Sequence, residues 1–524
     1  MVKILITDHL ADECARLLKD AGLEVSYRPG LKPAEVIAAM PGQDGLIVRS
    51  GTKVTKEVIA AGKSLRAIGR AGIGVDNVDV PAATRGGIVV MNTPLGNVAS
   101  AAEHSFALML ALSRNIPRGD AGLRQGAWRR NELVGVELEG KTLAVIGLGK
   151  IGAEVARMAR SFHMKVVAYD PYLSKERAAE MGVELMDFES LLGAADFFTI
   201  HTPLNDKTRG LFGVRELAKM KRTARIVNCA RGGIVDEKAL EAALRERVIA
   251  GAALDVFEKE PLDPKSPLLA LDNVVLTPHL GASTEEALLK VSVDIADQFI
   301  RYFKDGTVTY AVNAAAVVDP ALRPFLALAE TLGMLAVQLG GDHLTGVEVT
   351  VNGAIAAFDV KPVTIAALKG VLGPVCGEGV NLVNAALIAQ DRGVSVAERR
   401  SKETRDWANL VTVRVDTKAG ARIVAGTVIE GREPRIVRID DYDIDLHLAG
   451  HLLVARYPDR PGMVGKYGTI LGRRNINIAA MDVARLTRGG EALVVLTLDD
   501  PPADDVIEEL KAAIQVDRIW AVRL

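Results

Sequence analysis

Three residues in the middle of the chain are of types that could do chemistry together: Arg231 in NCARGG, Glu260 in DVFEKEP and His279 in TPHLGAS. Each follows an apolar run that reads as a strand. An imidazole takes up and returns a proton near neutral pH, which suits the base that receives an alcohol proton. A carboxylate on its second ring nitrogen fixes the tautomer and raises its basicity. Arg231 has a planar fork of donors that can hold a carboxylate and polarise the carbonyl beside it. The glycines after it let a substrate approach the backbone. The same residue types also serve as ordinary strand caps and surface charges, and His201, at the end of FFTIHT, is a second candidate base.

The element that must position this chemistry is Lys141 to Asp170, KTLAVIGLGKIGAEVARMARSFHMKVVAYD. A short apolar run leads into Gly147, Gly149 and Gly152 at G-x-G-x-x-G spacing. A helical apolar pattern follows (Ile151, Val155, Met158, Ala159, Phe162), then a second strand run ending in Asp170. This is the strand–turn–helix–strand of a dinucleotide-binding unit. Gly147 permits the tight turn, Gly149 the approach of a pyrophosphate, and Gly152 close packing of helix on strand. The helix N-terminus offers free N–H groups and partial positive charge to phosphates. Asp170 can accept from a ribose 2′-hydroxyl and would repel a 2′-phosphate, so the pattern favours NAD over NADP. A hydride acceptor in turn implies a substrate such as an alcohol.

The chain has 524 residues, enough for several domains, with 49% hydrophobic and 25% charged residues and a net charge of −2. No basic tail points to nucleic acid. Three scattered cysteines (Cys14, Cys229, Cys376) argue against a disulfide framework and for a reducing compartment. The strand-like KILIT at the N-terminus leaves no room for a signal peptide, and no apolar run is expected to reach the ~18 residues of a membrane helix. A soluble cytoplasmic protein is expected, and no metal site.

Residues 1–97 alternate short strand and helix patterns, the signature of a parallel sheet covered on both faces. Two of its strand ends, Arg49-Ser50 and Arg70 to Gly74, could hold an anion. Residues 98–115 read as a long apolar helix joining two domains, and 281–304 as a helix returning to the first. Composition changes near Asn313–Pro320. The region 317–449 reads as a helix at 325–339, strands at 346–352, 410–416, 421–429 and 435–439, and a charged, solvated stretch at Glu398–Asp406, with no catalytic signature. Residues 451–524 read β-α-β-β-α-β, a ferredoxin-like domain. The expected fold is therefore α/β: two Rossmann-like doubly wound parallel-sheet domains (1–97 plus 283–312, and 98–282), an α+β intervening domain (317–449) and a C-terminal βαββαβ domain.

Together GLGKIG (147–152), HTPL (201–204), NCARGGIVDE (228–237), ALDVFEKEP (253–261) and TPHLGAST (277–284) resemble the D-isomer-specific 2-hydroxyacid dehydrogenases. The resemblance implies Arg231, Glu260 and His279 as the catalytic residues. It implies NAD contacts at Gly147, Gly149, Lys150, Ile151, Gly152, Asp170, Thr202, Cys229, Ala230, Arg231, Asp255, His279 and Gly281. VRSGTKV (48–54), RAGIGVDNVD (70–79) and NTPLGN (92–97) resemble the branch that oxidises 3-phosphoglycerate with NAD to 3-phosphohydroxypyruvate, the entry to L-serine. Arg49, Ser50, Arg70, Gly74 and Asn97 would then face the substrate, and Arg130 would reach a neighbouring subunit's phosphate. Ile73 departs from relatives with a hydroxyl residue there. The tail, with YPDRPGMVGKYGTILG and NINIAAM, resembles an ACT regulatory domain and implies L-serine as effector at Tyr457, Asp459 and Asn477, in a homotetramer. Two other readings stand beside this one: another 2-hydroxyacid dehydrogenase or 2-oxoacid reductase, and an NAD-sensing binding protein.

Overall fold

Sheet order places the site. In a computed structural model, which describes residues 1–314, 319–341, 343–377, 379–404, 406–448 and 450–524, the first five strands form a wholly parallel sheet. Its order is Glu24–Tyr27, Lys3–Ile6, Gly45–Val48, Ala67–Arg70, Val89–Asn92. The chain reverses direction across the sheet between Lys3–Ile6 and Gly45–Val48, so a crevice opens at their carboxyl ends. Asp8 and Arg49 stand there.

The second sheet has seven parallel strands, ordered Val274–Leu276, Gly251–Leu254, Arg225–Asn228, Phe197–Ile200, Thr142–Ile146, Lys165–Tyr169, Glu184–Leu185. Its reversal lies between Thr142–Ile146 and Phe197–Ile200, so Gly147 and His201 border the crevice. The central strands are buried on both faces, which is why they read as continuous apolar runs.

Two helices tie these sheets together. Val98–Ser113 buries Ala102, Phe106 and Met109 against the second sheet. Glu285–Asp305 returns to the first, laying Ile295 and Phe299 on it. A Cβ on Gly69 would come within 2.4 Å of the Phe299 ring, so this strand glycine lets the helix approach.

The third region holds a six-stranded mixed sheet: Ser395–Ser401, Leu344–Gly353, Asn409–Thr417, Gly420–Ile429, Glu433–Ile439, Tyr442–His447. The sequence reading missed the first and last of these strands and the helices Lys361–Cys376 and Ala385–Asp391. Part of the charged stretch expected as plain surface is the edge strand Ser395–Ser401, paired in parallel with Leu344–Gly353. It is exposed as expected, since an edge strand keeps its charges in water. A second correction concerns apolar length. Pro320–Gly340 is long and apolar enough to cross a membrane, but its Leu328, Leu332 and Leu335 are fully buried in the core. The expected region limits 317 and 449 lie outside the described residues.

The tail forms a four-stranded antiparallel sheet, ordered Ile478–Arg485, Glu491–Leu498, His451–Pro458, Ile519–Arg523, with helices Met463–Arg473 and Asp504–Ile514. Along its first strand Leu453, Ala455 and Tyr457 pack under the helices. Leu452 and Val454 pack into the core of the preceding region instead. The strand is apolar on both faces because both faces are covered.

Candidate active site

The glycine turn has the geometry its spacing implies. Gly147 has φ of 91°, and a Cβ there would lie 2.7 Å from the Thr202 methyl. A Cβ on Gly152, in the helix Lys150–Ser161, would lie 2.1 Å from the Gly147 carbonyl oxygen. Nothing lies within 4 Å of one on Gly149, which caps that helix, so the space before the N-terminus is open. Lys150 and Ile151 open the same helix. The Thr202 hydroxyl oxygen is buried without a partner among the described residues. Asp170 accepts from the Leu148 N–H (2.9 Å) and the Tyr172 N–H (2.9 Å), so it braces the glycine turn from the next strand end. An open helix N-terminus, a carboxylate at the second strand end and an unpartnered hydroxyl fit an NAD dinucleotide.

His279 and Glu260 meet: imidazole Nδ1 lies 2.8 Å from Oε2. Burial would raise the Glu260 carboxyl. The bonds from His279 and from the Phe257 N–H (3.1 Å) outweigh it and hold Glu260 below the usual carboxylate range. Glu260 is therefore an anion at neutral pH, and His279 presents Nε2. His201, the rival base, hydrogen-bonds Thr199 at 2.8 Å, and burial pushes its imidazole down to about 3. A base so hard to protonate is poorly suited to take an alcohol proton at neutral pH.

Arginines converge from both sheets. Arg231 follows Arg225–Asn228, and the bare Cα of Gly232 packs on the peptide after Phe257, where a Cβ would come 1.9 Å from the Phe257 oxygen. Gly74 has no Cβ because one would sit 1.6 Å from the Arg231 guanidinium; a Cβ on Gly72 would sit 1.6 Å from that of Arg70. The glycines of RAGIG thus make room for two guanidinium groups. Burial, with the charges of Arg231 and Arg49 beside it, lowers Arg70 to about 10. Its Nε is buried and unpartnered among the described residues, as is the Asn97 side-chain oxygen. Arg49 donates to the Ala282 carbonyl across the cleft at 2.9 Å, and Ser50 follows it on the same loop. Three neighbouring cations with spare donor capacity make an anion-binding floor.

The other expected contact residues lie as follows. Asp255 is wholly buried. Its carboxylate accepts from the Thr277 hydroxyl (2.6 Å) and the Leu280 (2.7 Å) and Gly281 (2.8 Å) N–H groups, so it serves the protein itself. Cys229 is a neutral thiol, pushed up to about 12 by burial, and the Ala230 N–H donates to Asn228 (3.0 Å). Arg130 lies in the exposed turn Arg130–Glu132 with no ion pair among the described residues. In the tail, Asp459 pairs with Arg485 (2.9 Å) and Asn477 donates to Asp499 (2.8 Å), while Tyr457 is buried against Tyr467.

The sequence reading missed three groups. Asp8 accepts from the Arg49 N–H (2.5 Å) and from Thr52, shaping the substrate-side loop. Asp76 meets Arg231 at 2.6 Å. His104 meets Asp255 at 3.1 Å. Their polar character was visible in the sequence; their partners were not.

Residues 106–281 match the NAD binding domain of the D-isomer specific 2-hydroxyacid dehydrogenases, 321–440 the D-3-phosphoglycerate dehydrogenase intervening domain, and 451–515 the ACT domain. The chain is 44% identical to the D-3-phosphoglycerate dehydrogenase of Archaeoglobus fulgidus over 97% of each chain. It is 43% identical to that of Synechocystis, over 100% of this chain and 95% of the other. Among solved structures, the TT0316 protein of Thermus thermophilus is 34% identical, with a TM-score of 0.56 over 59% of this chain and 100% of its own. The D-lactate dehydrogenase of Aquifex aeolicus, solved with NAD and lactic acid, is 26% identical, with a TM-score of 0.51 over 58% of this chain and 96% of its own. The chain thus belongs to the D-3-phosphoglycerate dehydrogenases, NAD-dependent oxidoreductases of the D-isomer-specific 2-hydroxyacid dehydrogenase family.

Proposed function

We propose that the protein oxidises 3-phospho-D-glycerate to 3-phosphohydroxypyruvate, the first step toward L-serine, with Arg231, Glu260 and His279 as its catalytic residues. The observation that carries this reading is the 2.8 Å His279–Glu260 pair, in a fold that also gathers Arg49, Arg70 and Arg231 at its cleft. A carboxylate and a phosphate together bring close to three negative charges at neutral pH, and three guanidinium groups answer them. Arg231 holds the substrate carboxylate and stabilises the negative charge that gathers on the neighbouring oxygen as its proton leaves. His279 Nε2 takes the hydroxyl proton, while Nδ1–H donates to Glu260 and the imidazolium is stabilised there. NAD, when bound, supplies the hydride acceptor. Gly147, Gly149 and Gly152 shape its cradle, and Asp170 meets its adenosine ribose. Rates with D-glycerate and with its 3-phosphate test the reading: it requires strong preference for the phosphorylated acid, and preference for an unphosphorylated one would replace it.

The same proposal includes L-serine as effector at Tyr457, Asp459 and Asn477, a cytoplasmic location, and the division into 1–97 plus 283–312, 98–282, 317–449 and 451–524. It also includes a homotetramer. Trp128 (82% exposed) and Val134 (81% exposed) flank Arg130 with apolar surface of the kind a second subunit covers, supporting a role for Arg130 across an interface.

A further inference from the structure

The loop carrying His279 is held from a direction that the proton transfer itself does not require. His279 has φ of 55°, in the left-handed region that side chains rarely adopt. Such a conformation persists where the surroundings over-determine it. Asp255 supplies much of that. Its main-chain carbonyl accepts from the His279 N–H (2.9 Å), and its carboxylate takes the Thr277 hydroxyl and the Leu280 and Gly281 N–H groups.

Behind Asp255 stands His104. Its Nε2 lies 3.1 Å from Asp255 Oδ1 and 3.2 Å from the Thr277 hydroxyl oxygen, within donating reach of both. One helical turn earlier, on the same face of Val98–Ser113, the Ser100 hydroxyl donates to the Gly281 carbonyl at 2.9 Å. The helix joining the two sheets therefore grips both ends of the left-handed segment. His104, Cys229 and Asp255 also bring their donor atoms within 4.8 Å of one another, as a cation site would. But the Asp255 oxygens already accept from four donors and the Cys229 sulfur is an un-ionised thiol, so the cluster is a hydrogen-bonded brace.

We propose that His104 is a positioning residue for the hydride-transfer reaction, bracing Asp255 and through it the Thr277–Gly281 loop, so that His279 keeps its alignment between Glu260 and the substrate. The inference rests on His279 as the acid–base group. His104 touches neither Glu260 nor any of the three arginines among its described hydrogen bonds, so its effect falls on alignment rather than on binding.

The test measures kcat with 3-phospho-D-glycerate, NAD affinity by calorimetry, and the primary isotope effect with substrate deuterated at C2. His104→Leu is expected to lose about 10²-fold in kcat, the scale of a small misplacement near the chemistry. Its NAD Kd should stay within about threefold, and its isotope effect should rise as hydride transfer becomes limiting. His104→Gln, whose amide reaches the same oxygens, should recover most of the rate. His104→Asn, one carbon shorter, should not, so this pair reads the same geometry if His104→Leu does not fold. A wild-type kcat in His104→Leu, equal impairment of the Gln and Asn variants, or a loss of NAD affinity as large as the loss of kcat would each overturn the inference. Full activity of His279→Ala would instead bring down the acid–base reading on which it stands.

Discussion

Asp76 and Arg231 meet across the cleft, Oδ2 to Nε at 2.6 Å, one from the loop after Ala67–Arg70 and the other from the loop after Arg225–Asn228. The guanidinium fork that would grip a substrate carboxylate is thus already engaged by a protein carboxylate. Asp76 is the more exposed partner, at 62% against 29%, and can swing into water when a ligand arrives.

If Arg231 holds the substrate carboxylate as proposed, binding displaces Asp76. An ion pair this exposed contributes about 0.5–1 kcal/mol. Asp76→Asn should lower KM for the acid substrate by about two- to fivefold, with kcat little changed. A raised KM would show that Asp76 aligns Arg231 instead of competing for it.

His279→Ala should lose about 10²–10⁴-fold in kcat, the range of a general acid–base group. Glu260→Gln should lose less, because it disturbs the tautomer without removing the base. An unaltered rate in His279→Ala would direct attention back to His201.

Asp170 braces the glycine turn and, as proposed, meets the NAD ribose. Asp170→Ala should shift the kcat/KM ratio toward NADP by about tenfold or more, as a repulsive charge leaves. It should also raise KM for NAD, because the Leu148 N–H loses its partner. Unchanged selectivity would dismiss a ribose role.

Asp255 links the site to pH. Burial would raise its carboxyl, but the bonds from His104, Thr277, Leu280 and Gly281 prevail and lower it below the usual carboxylate value. A depressed carboxylate stabilises the fold fully above its unfolded pKa, about 3.9. That stability is lost as pH falls through the lower folded value. Asp255→Asn should cost about 1–3 kcal/mol in urea unfolding near pH 7, and the gap to the parent protein should close only below about pH 4. A gap that closes already near pH 6 would contradict the assignment.

Asp459→Ala should abolish inhibition by L-serine and leave kcat without serine unaltered, read from inhibition curves. Retained inhibition would move the effector elsewhere. This substitution is a cleaner probe than deleting 451–524, because Leu452, Val454, Leu493, Val495 and Val522 of the tail share a core with the preceding region. Their removal would leave that core open to water.

How much of this was legible in the sequence depends on the range over which each feature acts. The glycine turn, the strand-end Asp170 and the βαββαβ order are local patterns, and a strand or turn carries them in consecutive residues. The helix Lys361–Cys376 was missed because it is apolar on most sides, so it has no amphipathic period, and Gly370, Gly373 and Pro374 read as breakers. Its burial against Arg323–Gly340 supplies what its local pattern withholds: a Cβ on Gly370 would strike the Glu330 carbonyl oxygen at 1.9 Å.

By itself the sequence determined which cofactor cradle the chain could build and which residues could act as base, carboxylate and anion-binding fork, because residue type and short-range spacing settle those. Only the tertiary structure decided which of two strand-end histidines meets a carboxylate. It also decided that Asp255 braces the loop carrying His279 and that Asp76 occupies Arg231. Asp76 and Arg231 are 155 residues apart, and His104 and Asp255 are 151 apart. No local pattern encodes a contact at that separation; the helices Val98–Ser113 and Glu285–Asp305, which tie the two sheets together, bring the partners within reach.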